Sequence, residues 1–138
     1  FLSSRRRIET SFKKCYINYI MAVYDNLYNS LSYNLPTEDL STEEKDEIVS
    51  IMENLALTLK NNNDGVSKLH EINSIIFSLI VQDHNKYNPN TKVVFPYKTK
   101  QLDDEKLEIK IDCLPIRLKR ILQKFIKIAK DNGIKVNE

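Results

Sequence analysis

Four stretches of this sequence repeat apolar residues at spacings of three and four, which aligns side chains on one side of a helix and argues against an all-β fold. The first stripe, Ile8, Phe12, Cys15, Tyr16, Tyr19, Ile20, Val23, Leu27 and Leu31, predicts a helix over residues 7–32 that packs on the rest of the domain. Tyr16, Tyr19, Tyr24, Tyr28 and Tyr33 accompany it, and half-buried packing is the ordinary role of aromatics at this spacing. Asn34-Leu35-Pro36 ends the segment, because the residue before a proline resists helical geometry. Ser41-Thr42-Glu43-Glu44 has the pattern of a capping box and starts a second helix over 42–59, with core positions Ile48, Ile51, Met52, Leu55 and Leu59. Asp39, Glu43, Glu44, Asp46 and Glu47 gather where the helix dipole favours carboxylates.

Asn61-Asn62-Asn63-Asp64-Gly65 reads as a break, followed by a third helix over 68–82 capped by Ser67 and carrying Leu69, Ile72, Ile75, Ile76, Leu79 and Ile80. Residues 85–106 read as a polar connection with a short β-prone run at 92–95 stopped by Pro96. From Leu107 to Asp112 the period changes to two, with Leu107, Ile109 and Ile111 on one face and Glu108, Lys110 and Asp112 on the other, as in a half-buried strand. Pro115 fits the first turn of a last helix over 115–131, whose stripe is Leu118, Ile121, Leu122, Phe125, Ile128 and Ala129. The expected fold is therefore mainly α: one domain over 1–138, four helices, and one strand or a small two-stranded element before the last helix.

Several function classes lose their footing on composition. Glycine occurs only at Gly65 and Gly133, too sparsely for a phosphate-cradling loop. Cys15 and Cys113 lack the spacing of a zinc site and read as two buried reduced thiols of an intracellular protein. His70 and His84 have no ligand partner at helical spacing and read as polar surface residues. No nucleophile, base and orienting group assemble from these residues, so no enzyme, cofactor or metal site is expected. No stretch is apolar enough to span a bilayer, and no membrane partner is expected. The Phe-Leu-Ser-Ser start reads as a piece cut from a longer polypeptide.

Charge changes sign in blocks. Residues 36–66 carry eight acids against two lysines, and residues 115–138 carry seven bases against two acids, within a net charge of +2. Such blocks suit acidic and basic surfaces addressed to different neighbours.

Three features resemble the extra-terminal (ET) domain of BET transcriptional regulators and yeast chromatin-complex subunits, over about residues 40–130. They are the acidic capped start Glu43-Glu44-Lys45, the Lys68-Leu69 opening of an Ile-rich helix, and the run Glu108-Ile109-Lys110-Ile111-Asp112-Cys113-Leu114-Pro115-Ile116-Arg117-Leu118. The chain departs from the family in an insertion near 57–66, a long 83–106 connection, an added N-terminal helix over 1–35, and Lys110 where the family strand carries an acid. The resemblance implies a nuclear, non-catalytic module that binds a short peptide of a chromatin or transcription factor by strand addition at residues 107–112. It implies further that Glu108 and Asp112 meet basic ligand side chains, that Lys110 favours an acid, and that Ile109, Ile111, Leu118 and Leu122 line the groove.

Two other readings compete. Arg117, Arg120, Lys124 and Lys127 form a row on the last helix, supported by Lys119 and Lys130, that could track nucleic-acid phosphates; Arg5-Arg6-Arg7 reads as a nuclear-import or phosphate-contacting patch or as an ordinary solvated chain end. A helical adaptor or oligomerisation domain would show the same stripes.

Overall fold

The computed structural model describes residues 7–11, 26–59, 63–91, 93–103 and 106–135. In chain order these form β1 (Arg7–Ser11), α1 (Leu27–Leu31), α2 (Thr42–Leu59), α3 (Asn63–Tyr87), β2 (Lys100–Asp103), β3 (Lys106–Lys110), a 3-10 turn (Ile111–Cys113) and α4 (Ile116–Lys135). The fold is mainly helical, with four described helices and a small antiparallel sheet before the last of them.

The second helix occupies the span its sequence predicts, and its capping box is closed in both directions. The Ser41 amide donates to Glu44 Oε1 at 2.9 Å, and the Glu44 amide donates to Ser41 Oγ at 3.1 Å. The third helix is longer than expected and begins at Asn63, so residues 63–65 are helical rather than a turn. A first turn tolerates weak helix formers because its amides have no intrahelical partner to lose, and Gly65 is buried there. The last helix starts one residue after Pro115, whose carbonyl accepts the Lys119 amide at 3.0 Å, and runs on to Lys135.

α2, α3 and α4 pack against one another, and α1 lies on α3 and α4. Their stripes make one core, in which Ile48, Leu59, Ile76, Leu79, Ile80, Leu118, Ile121 and Ile126 are essentially inaccessible. Ile128, expected in the last stripe, is instead exposed, and Ile126, four residues on from Leu122, takes the buried place. The half-buried Cys113 is a free thiol, less covered than expected; Cys15 lies outside the described residues.

The sheet corrects two readings. Arg7–Ser11, expected as the start of a helix, is a strand, because Ile8 gains a buried place opposite Ile109 that an isolated first turn would not provide. Of the predicted 7–32 helix, residues 12–25 lie outside the described residues and 27–31 are helical. Val93-Val94-Phe95 is not a strand: the two valines are exposed, while Phe95 packs on Phe77 with ring centroids 5.9 Å apart. Positive φ at Tyr97 (56°) and Lys98 (60°) then turns the chain, and Thr99 donates its amide to the Pro96 carbonyl at 3.1 Å. The strand that pairs with β3 on this side is the polar Lys100–Asp103, which shows no alternation to the eye. The expected two-stranded element is thus the β2–β3 hairpin, to which β1 adds a third strand.

Replacing the inaccessible Leu118 by alanine leaves a cavity among three helices and should cost about 2–5 kcal/mol in denaturant unfolding. Ile116→Ala, at an exposed neighbour, should stay within about 0.5 kcal/mol of wild type.

Candidate functional site

The sheet order is β1-β3-β2, so the strand expected to offer an open edge is the central one. β1 pairs antiparallel with β3 in an unbroken register from Arg7↔Lys110 to Ser11↔Lys106, with Ile8 opposite Ile109. β2 pairs on the other side, with an irregularity between Gln101 and Asp103. The two attachments differ in kind. β2 is tied to β3 through residues 104–105, whereas β1 comes from the far end of the chain.

The surroundings of β3 explain why its period-two pattern misleads. Leu107 and Ile109 are inaccessible as expected, but Glu108 is only 7% exposed, so the other face of the strand is covered too. Asp112 lies in the 3-10 turn and accepts a 2.9 Å bond from Lys45 Nζ. Ile111, Leu118 and Leu122 are core residues and line no open groove. Of the seven predicted contact residues, only Lys110 and Asp112 are exposed. A pocket of about 290 Å³ does occur, but on the flank of α2, where Ile51 and Leu55 form its floor beside Lys130.

Two polar assemblies lock the helices around this sheet. In the first, Asp83 is inaccessible at the C-terminal part of α3. It accepts from the Tyr28 hydroxyl of α1, from the Tyr97 hydroxyl at 2.6 Å, and from Arg117 Nε and Nη2, both at 3.0 Å. A buried carboxylate persists only when its lone pairs are satisfied, and here one side chain joins α1, α3, α4 and the 93–99 loop. The Tyr87 ring covers Arg117, 3.5 Å from guanidinium carbon to ring centroid. Burial and the bond to Asp83 push the Tyr97 hydroxyl up to about 12 and raise Tyr28 in the same direction. His84, expected at the surface, is buried edge-on to Tyr97, with Nε2 at 3.1 Å from the Thr91 carbonyl.

In the second assembly the acidic block meets the basic one. Arg120, buried, donates to Glu44 Oε2 at 2.9 Å, Gln123 Oε1 at 3.1 Å and the carbonyls of Glu38 (3.0 Å) and Asp39 (3.3 Å). Gln123 also donates to Glu44 Oε2 at 3.0 Å. Lys119, likewise buried, reaches Asp39 at 3.0 Å, Lys127 reaches Glu47 at 3.4 Å, and Lys124 donates to the Tyr33 carbonyl at 2.6 Å. The Ser41 amide, then Gln123 and Arg120, hold the Glu44 carboxyl down at about 2, and the bond from Lys119 lowers Asp39. These contacts are the signal that block charges carried in the sequence, although its addressee was another part of the same chain.

Comparisons with protein-family models, characterised proteins and solved structures return no match. The ET likeness therefore rests on the quoted residues alone. No helix among the described residues is long and apolar enough to cross a membrane, and no cluster of three or more His, Cys, Asp or Glu among them is arranged for a metal ion.

Asp83→Asn removes the buried charge that Arg117 and two hydroxyls address, and should cost about 3–5 kcal/mol in chemical denaturation. Glu44 gives a pH signature. Its folded value of about 2 lies below the ordinary 4.5, so its contribution is present above pH 4.5 and is lost as pH falls towards 2. In thermal scans Glu44→Gln should therefore be less stable than wild type at neutral pH, with the gap closing across that acid window.

Proposed function

We propose that this chain is a non-catalytic interaction module that binds an extended peptide by strand addition to the sheet centred on β3. The observation that carries the reading is the capture of β1, a five-residue segment brought from the far end of the chain and seated on β3 through main-chain pairing, with the side chain of Ile8 buried. That is how a peptide ligand binds a sheet: backbone bonds give register, and alternate side chains give selectivity. The core accepts a short strand in regular antiparallel register at this edge, whereas the bulged β2 edge departs from it. The likeness to ET domains supports the same reading and supplies the expectation of a nuclear setting and a chromatin or transcription factor as partner.

The nucleic-acid alternative loses its main support. Phosphate binding needs cations that release counterions on contact, but Arg117, Lys119, Arg120 and Lys127 already face Asp83, Asp39, Glu44 and Glu47. Reaching a phosphate with Arg120 would leave Glu44 and two carbonyls without their donor.

Selection from a random nonapeptide display library should enrich sequences with one apolar residue between charged ones, and bound peptide should change amide exchange within the sheet, in residues 7–11 and 106–110. An oligonucleotide that binds more tightly than any selected peptide at physiological salt, with a salt slope of several phosphates, would replace this reading with the nucleic-acid one.

A further inference from the structure

Along the seam between α2 and α4, acids of one helix meet polar and basic groups of the other step by step. Glu44 receives Arg120 and Gln123, and Glu47, three residues on, faces Lys127 at 3.4 Å. The next step of three on each helix brings Ser50 and Lys130, so α2 now offers a hydroxyl in place of a carboxylate. Arg117, Lys119, Arg120 and Lys127 each have an acid partner. Lys130 is exposed and has no ion pair among the described residues.

The cavity of about 290 Å³ lies at this step. Its floor is Ile51 and Leu55, only 6% and 5% exposed. Ser50, Asn54 and Thr58, spaced by four and therefore on one side of α2, line it with exposed polar groups, and Lys130 lines it from α4. Glu47 also borders the cavity, but its charge is met by Lys127. An apolar floor, a row of neutral polar side chains and one uncompensated cation suit a ligand with an apolar body and a single negative charge. Size narrows the choice further. The volume is about twice the roughly 150 Å³ that encloses benzene, which corresponds to a ligand of about ten non-hydrogen atoms. A helix, at about 10 Å across with its side chains, does not enter it.

We propose that this cavity binds a small apolar monocarboxylate, with its carboxylate against Lys130 and its hydrocarbon on Ile51 and Leu55. The carboxylate takes the part that Glu44 and Glu47 play at the preceding steps, and the ligand joins α2 to α4 beyond the last ion pair. The site is separate from the sheet and stands whether or not β3 serves strand addition. Because the cavity needs both helices in place, the ligand binds the folded chain alone and stabilises it.

The test uses the full chain, with octanoate, its neutral isostere octanamide and the short acid butyrate as probes, read by amide NMR shifts and thermal scans. Octanoate should give saturable shifts centred on residues 47–58 and 127–131, with a Kd of roughly 0.1–1 mM, and should raise the melting temperature. Octanamide and butyrate, lacking the charge and the hydrocarbon respectively, should bind at least about threefold more weakly. Lys130→Met keeps the apolar stem and loses the charge. It should weaken octanoate by roughly threefold to tenfold, the scale of a partly exposed charged hydrogen bond, and leave octanamide unchanged. Ser50→Glu gives Lys130 an acid from α2 and should weaken octanoate by a similar factor. Asn54→Trp fills the cavity and should abolish binding of both octanoate and octanamide. Should Asn54→Trp lose its helical circular dichroism, the variants at the exposed positions 130 and 50 still decide. Equal octanoate affinity in wild type and Lys130→Met, shifts centred elsewhere, or no saturation below roughly 10 mM overturns the site. Tighter binding of the tripeptide Gly-Gly-Leu, with a free carboxyl terminus, than of octanoate overturns the small acid in favour of a peptide terminus.

Discussion

The last helix is cationic on the side that faces the protein, and the rest of the structure is arranged around that constraint. Lys119 and Arg120 are buried beside the inaccessible Leu118, Ile121 and Leu122, which would be prohibitive for bare charges. The segment from Glu38 to Glu47 resolves this by wrapping its carboxylates and two carbonyls over them. The capping box belongs to the same arrangement, because Glu44 closes the first turn of α2 with one oxygen and receives Arg120 and Gln123 with the other. Helix start, loop path and helix–helix packing are thus one electrostatic unit. Its energetic value lies less in attraction than in the cost of leaving any member without its partner.

The Asp83 assembly does the same in the first turn of α4, through Arg117. One carboxylate fixes the chain entering α4 through Arg117, the loop before the sheet through Tyr97, and α1 through Tyr28. The left-handed backbone at Tyr97 and Lys98 lies in that loop, where the bond from the Tyr97 hydroxyl to Asp83 helps to hold a conformation that residues with a Cβ adopt reluctantly.

Much of this architecture was legible because it depends on local periodicity. The span of α2, its capping box, the stripe of α3 and the start of α4 all follow from apolar spacing and terminal chemistry that neighbouring residues decide among themselves. What escaped reading depends on distant partners. Ile8 fits a helical stripe as well as a strand, and only Ile109, about a hundred residues on, decides between them. Glu108 alternates like a solvent-facing residue, yet the far face of the strand is covered. The basic row of the last helix resembles a phosphate track because a sequence shows which residues carry charge and not which way they point. Block charge was a sound signal of a complementary surface, but that surface proved to be internal for the residues described.

The pairing of β1 with β3 also sets an order of events during synthesis. Arg7–Ser11 leaves the ribosome long before Lys106–Lys110 exists. At translation rates of about 5–20 residues per second the strand waits roughly 5 to 20 s for its partner. Throughout that interval Ile8 is available to chaperones or to another chain, and in a polysome the first edge it meets can belong to a neighbouring copy that is already complete. Vectorial synthesis therefore exposes this fold to strand swapping between nascent and finished molecules.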